Sequence, residues 1–128
     1  MLSSDDALAG LCHAKHLQRE KSLEALRATF SSTALPSADR EAAAARASAV
    51  AVELLQTSEG ESSWESRHGG WRAAAVLLDS SAMPPSARAA VLDSMEQGLD
   101  DAEMRVRLAA GEALAAAARS CQAGGSKP

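Results

Sequence analysis

Apolar residues recur along this chain at helical spacing, in segments separated by short polar breaks. Leu17, Leu23, Leu26 and Phe30 share one side of a segment from about 17 to 30. Before it, Ser4 stands where an N-cap belongs, with Asp5 and Asp6 in the first turn, and predicts a helix to about Lys15. Ser31-Ser32-Thr33-Ala34-Leu35-Pro36 reads as a loop. Ser37 then caps an alanine-rich helix to about Gln56, in which Arg40 is placed to pair with neighbouring acids. The polar stretch from Thr57 to Ser63, holding Gly60, ends it. A helix over Trp64 to Asp79 follows. Pro84-Pro85 open the next, Ser86 to Gln97, with Gly98 as its stop. Asp100 or Asp101 caps the last helix, which runs to about Ser120, and Gln122 to Pro128 reads as a flexible tail.

These segments pair into three hairpins, about 4–32, 37–80 and 84–120, within one domain over 1–121. A column through them starts at Arg19, Arg67 and Arg107. Three positions later stand Ser22, Gly70 and Ala110; six later, Ala25, Ala73 and Ala113. Leu26, Ala74 and Leu114 come next, and the column closes on Phe30, Leu78 and Ala118. Small and bulky residues thus form two ridges on one predicted buried side. One hairpin cannot bury both its apolar faces, so stacking completes the core.

Alanine is about a quarter of the 128 residues, and there are two Trp, one Phe and no Tyr. That favours close-packed helices over sheets, which draw on aromatic and β-branched residues. The fold class is therefore all-α. The net charge of -4 and pI near 5.3 give no basic face for a phosphate backbone, and the scarcity of aromatics leaves no platform for stacked bases. A nucleic-acid partner is not expected. The opening Met1-Leu2-Ser3-Ser4-Asp5-Asp6 lacks the features of a signal peptide, and no apolar run approaches the ~20 residues of a membrane span. With only Cys12 and Cys121, at opposite ends, reduced thiols and a cytoplasmic location are the expectation.

The stretch Asp100-Asp101-Ala102-Glu103-Met104-Arg105-Val106-Arg107-Leu108-Ala109-Ala110-Gly111-Glu112-Ala113-Leu114 resembles the second helix of a HEAT repeat. There an acidic turn precedes a Val-Arg pair and an alanine-rich run. The resemblance extends over nearly the whole chain and is most specific in this third unit; in the first, Gln18 replaces the usual Val before Arg19. It implies a right-handed α-solenoid of about three hairpins, six helices in all. It also implies a polar ladder between repeats, carried here by Arg19, Arg67, Asp100, Asp101 and Arg107. The function it implies is a non-enzymatic scaffold for another protein or peptide. Narrower likenesses compete. Lys15 to Arg27, Arg67-His68-Gly69-Gly70 and Arg105-Val106-Arg107 resemble the N-terminal HEAT array of the scaffold of the phosphatidylinositol 3-phosphate 5-kinase complex. The aromatic pair expected after Arg-Val-Arg is Leu108-Ala109 here. Trp64 to Gly69 resembles a repeat in ATPases that strip TATA-binding protein from DNA, and tubulin chaperone arrays carry similar segments.

For recognition, the candidates are Trp64, Arg67, His68, Trp71 and Arg105. Trp64 and Trp71 lie two turns apart on one helix face; the one left exposed, Trp64 at the helix start, would be the anchor. The plain alternative for the arginines is a structural ladder, and for Gly69-Gly70 it is a neighbouring helix crossing close by. Cys12, His13 and His16, with Cys121, give the rival expectation of a small metal- or ligand-binding domain, although no Cys-x-x-Cys pair supports it. No phosphate loop, nucleophile constellation or paired carboxylates are recognisable, so neither an enzyme nor a cofactor is expected. No obvious polar capping repeat closes the stack, which predicts self-association or membership of a longer array.

Overall fold

The computed structural model describes residues 10–11, 16–31, 37–56 and 63–125. Among them the chain forms six α-helices and no strand. They are α1 His16–Ser31, α2 Ser37–Leu55, α3 Ser63–Asp79, α4 Pro85–Asp93, α5 Met95–Leu99 and α6 Met104–Gly125. The helix expected from Ser4 to Lys15 lies outside the described residues, except for Gly10 and Leu11.

Helix α3 is the centre of the molecule. It packs most extensively on α2 and α6 and also touches α1. From His68 through Leu78 every residue but Arg72 is buried, so this stretch is covered all round, as a helix apolar on every side must be. It divides the core in two. Ala73, Val76 and Leu77 face Leu23, Leu26, Phe30 and the Ala44, Ala47 and Ala51 stripe of α2. Trp71, Ala74, Ala75 and Leu78 face Val91, Met95 and the buried side of α6, which is Val106, Ala109, Ala110, Ala113, Ala116 and Ala117.

The glycine pair inside α3 is explained by two close crossings. A Cβ on Gly70 would lie 2.6 Å from the backbone nitrogen of Leu55 and 2.8 Å from the carbonyl oxygen of Ala51. One on Gly69 would run into the Leu11 carbonyl group. Each costs roughly 1 kcal/mol of helix propensity against alanine, yet backbone against backbone leaves no room for a methyl group.

Four local features differ from the sequence expectation. The helix expected over Ser86 to Gln97 is broken at Ser94, and Gly98, expected as a stop, lies buried within α5. A Cβ there would meet Cε2 of Trp71 at 2.7 Å, so this glycine serves packing and not termination. Among the described residues Arg40 pairs with no acid; its Nη2 donates to the carbonyl oxygens of Phe30 at 2.9 Å and Ser80 at 3.2 Å. It thereby places a cation on the carbonyl ends of both α1 and α3, where the helix dipole favours one. Helix α6 runs on to Gly125 instead of ending near Ser120.

The end of α3 is closed by its own backbone. Ser81 N–H donates to Leu78 O at 3.1 Å and Ala82 N–H to Leu77 O at 2.9 Å, with Ser81 at φ 53°. This is the Schellman pattern, with serine in the left-handed position usually given to glycine.

Candidate functional site

The N-terminal half of α3 lies beside α1 and the start of α6, and charged side chains converge there. Trp64, the second residue of α3, is half-buried. Arg105 of α6 sets its guanidinium carbon 3.9 Å from the indole centroid, and that of Arg19 from α1 lies at 5.1 Å. The His68 ring follows 6.0 Å away, tilted by 60°. Arg105 is also held by Glu103 Oε1 at 2.8 Å on an exposed pair. Exposed cation–π contacts contribute about 0.5–1 kcal/mol, so the contact fixes the orientation of Arg105 more than it stabilises the fold.

Beneath this edge the polar groups are buried. Arg19 is 2% exposed, and burial is the largest influence lowering its guanidinium, with Glu65 opposing. His68 is 6% exposed. Burial, reinforced by the charges of Arg19 and Arg72, pushes its imidazole down to about 4, so it is neutral at pH 7. Its Nδ1 and Oε1 of Glu65 are buried with no hydrogen-bond partner among the described residues.

Among the described residues two ion-pair systems tie the elements together beside this edge, and a third, Arg119 of α6 with Asp79 at 2.9 Å, closes the far end of α3. Arg67 donates Nε to Asp101 Oδ2 at 2.6 Å and Nη2 to Oδ1 at 3.1 Å, a two-pronged pair from α3 to the turn before α6. Burial pushes the Asp101 carboxyl up. The hydrogen bonds from Arg67 and the Glu103 N–H, with the charges of Arg67 and Arg107, outweigh that and hold it below the usual range. Asp101 Oδ1 also accepts the Glu103 N–H at 2.9 Å, bracing the entry to α6. Arg72 forms the second system. Its Nη1 donates to Glu20 Oε2 at 2.8 Å, and its Nε lies 3.0 Å from Glu112 Oε1 without the alignment of a hydrogen bond. One guanidinium thus spans α1, α3 and α6.

Of the residues singled out from the sequence, Trp64, His68, Arg105 and Arg19 come together. Arg67 meets Asp101. Asp100 is exposed, and Arg107 donates to the carbonyl oxygens of Asp101 at 2.7 Å and Ala102 at 3.2 Å on the surface. Trp71 does not join the surface set. It is 1% exposed, with its ring edge against Gly98, and belongs to the core. His68 is likewise buried, at 6% exposed. His16 is exposed at the start of α1; Cys12 and His13, and the side chain of Cys121, lie outside what is described. The Arg72 system was missed. Its signal is the column in the sequence: Arg72 and Glu112 each stand five positions beyond Arg67 and Arg107, with opposite charges.

Among the described residues, two openings flank the cluster. A small cavity of about 210 Å³ is lined by His68, Arg72, Arg105, Leu108, Ala109 and Glu112. A larger groove of about 920 Å³ runs between the end of α2, α3 and α5, past the Arg67–Asp101 pair. The outward side of α6 is apolar and uncovered: Met104 is 58% exposed, Leu108 66% and Leu114 43%. No helix of the described residues is long and apolar enough to cross a membrane. No family model, no curated protein and no solved structure matches this chain.

Proposed function

We propose that this chain is a non-enzymatic protein-interaction module, built as a short right-handed solenoid of HEAT-like hairpins, that holds another protein or peptide against its surface. The packing order supports the architecture. Helix α3 lies beside α1 and α6, the second helices of the flanking hairpins, while α2, a first helix, touches α4, the next one. The Arg67–Asp101 pair between successive units has the character of an inter-repeat ladder.

The observation that carries the functional reading is the outward face of α6. Exposed apolar residues scattered singly need no explanation, but Met104 and Leu108 stand one turn apart on the helix face opposite the core. Gly111, next along that face, has open space where a Cβ would be. In a stack each hairpin covers its neighbour, so this is the face on which a further repeat, a second copy or another protein would sit. Trp64 with Arg105, close to the start of the same helix, supplies the aromatic and arginine pair that protein interfaces favour.

The test is affinity capture from the native cell with the wild-type chain, Leu108→Glu and Trp64→Ala as baits. Leu108 is exposed enough to be replaced without opening the core. A protein retained by the wild type and lost by Leu108→Glu is the expected result. Identical sets from all three baits would remove the reading.

A further inference from the structure

The groove beside the Arg67–Asp101 pair carries more information about a partner than the α6 face does, because its chemistry has a sign. Its floor is apolar, with Leu55 at the end of α2 and Leu99, 40% exposed, on α5. Its rim holds the carboxylates of Asp93, Glu96, Asp100 and Asp101 against a single guanidinium, Arg67, which is engaged with Asp101. No lysine or arginine of the described residues pairs with Asp93, Glu96 or Asp100. Helix α2 ends on the same space at Leu55, with no basic residue in its last turn. The carbonyl end of α2 and the carboxylates of the rim therefore share a negative sign.

A volume of about 920 Å³ has room for several side chains, far more than a single cation needs. An acidic partner would meet repulsion along the whole rim, and a purely apolar one would strip water from three unpaired carboxylates without replacing it. We propose that the groove takes a cationic segment of another protein, whose lysine or arginine side chains reach Asp93, Glu96 and Asp100 while an apolar side chain rests on Leu55 and Leu99. This rests on the reading of the chain as a protein-binding module and supplies the chemistry of what it binds.

The experiment uses the full chain and two short fluorescein-labelled peptides, one alternating lysine with leucine and one alternating glutamate with leucine, followed by fluorescence anisotropy. The lysine peptide should bind and the glutamate peptide should not. Asp93→Asn/Glu96→Gln/Asp100→Asn, all exposed positions, should fold as the wild type by circular dichroism and bind the lysine peptide about tenfold more weakly. Asp39→Asn/Glu41→Gln, which neutralises exposed acids on α2, should bind it as the wild type does. Equal binding of the two peptides, or unchanged binding by the triple variant, overturns the proposal. Sedimentation of the same variants settles one rival occupant: a wild-type dimer dissolved by the triple variant would assign the groove to a second copy and also overturn it. The α6 face is probed separately by Leu108→Glu, so the groove can fail while the scaffold reading stands, or the reverse.

Discussion

From Arg67 to Leu78, α3 carries the column that α6 repeats from Arg107 to Ala118, yet the two helices end in opposite circumstances. In α3 the positions six, seven and eleven beyond the arginine, Ala73, Ala74 and Leu78, are all buried. In α6 only the first of these, Ala113, is buried; Leu114 is 43% exposed and Ala118 is open to solvent. The first unit differs again, with Leu26 and Phe30 buried but Ala25 only partly so. A shared pattern thus fixes one buried side of each helix. What happens on the other side depends on whether a further helix lies there, and alanine suits either outcome because it is small enough for a core and tolerable in water.

The sharpest way to break the comparison is Trp71→Ala. Trp71 is the largest fully buried side chain and joins α3 to α5 and α6, so its removal should cost about 3–5 kcal/mol by urea unfolding. A loss under about 1 kcal/mol would mean that α3 is not the covered helix described above.

Next comes His68. Its folded imidazole sits at about 4, below the ~6.5 of an exposed histidine, so the unfolded chain binds the proton more readily. Its contribution is therefore complete above about pH 6.5 and is lost as pH falls toward 4, on the order of 3 kcal/mol over that window. The slope of stability against pH in this range should largely vanish in His68→Gln. If it persists unchanged, the imidazole is not the buried neutral group that its surroundings imply.

Glycines give the finest contrast. Gly70→Ala presses a methyl group onto the α2 backbone and should destabilise by about 1–3 kcal/mol. Gly111→Ala, on the open face of α6, should stabilise by roughly 0.5–1 kcal/mol through helix propensity alone. Melting temperatures that move in the same direction for both would erase the distinction between covered and uncovered helices.

Much of the helical framework was legible because proline and capping signals bracket it: α1, α2 and α3 begin and end within a residue or so of where the pattern puts them. The break at Ser94 was not legible, since no glycine or proline marks it; the chain bends there, and Met95 and Gly98 both end up buried. Gly98 misled for a related reason, because glycine signals either a helix end or a close neighbour, and only the position of Trp71 decides between them. The exposed edge at Trp64 could be anticipated from its place at a helix start. The gathering of Glu20, Arg72 and Glu112 could not be read from any one segment, because each acid lies on a different helix and only the packing of the helices brings them to one arginine.

The two indoles make this small chain its own reporter. Trp71 is dry and walled in by alkyl groups, whereas Trp64 lies at the rim with guanidinium groups against its ring. With no tyrosine to complicate the spectrum, light emitted at the shorter wavelengths tracks the integrity of the middle of the molecule, and the longer-wavelength component tracks whatever settles on its edge.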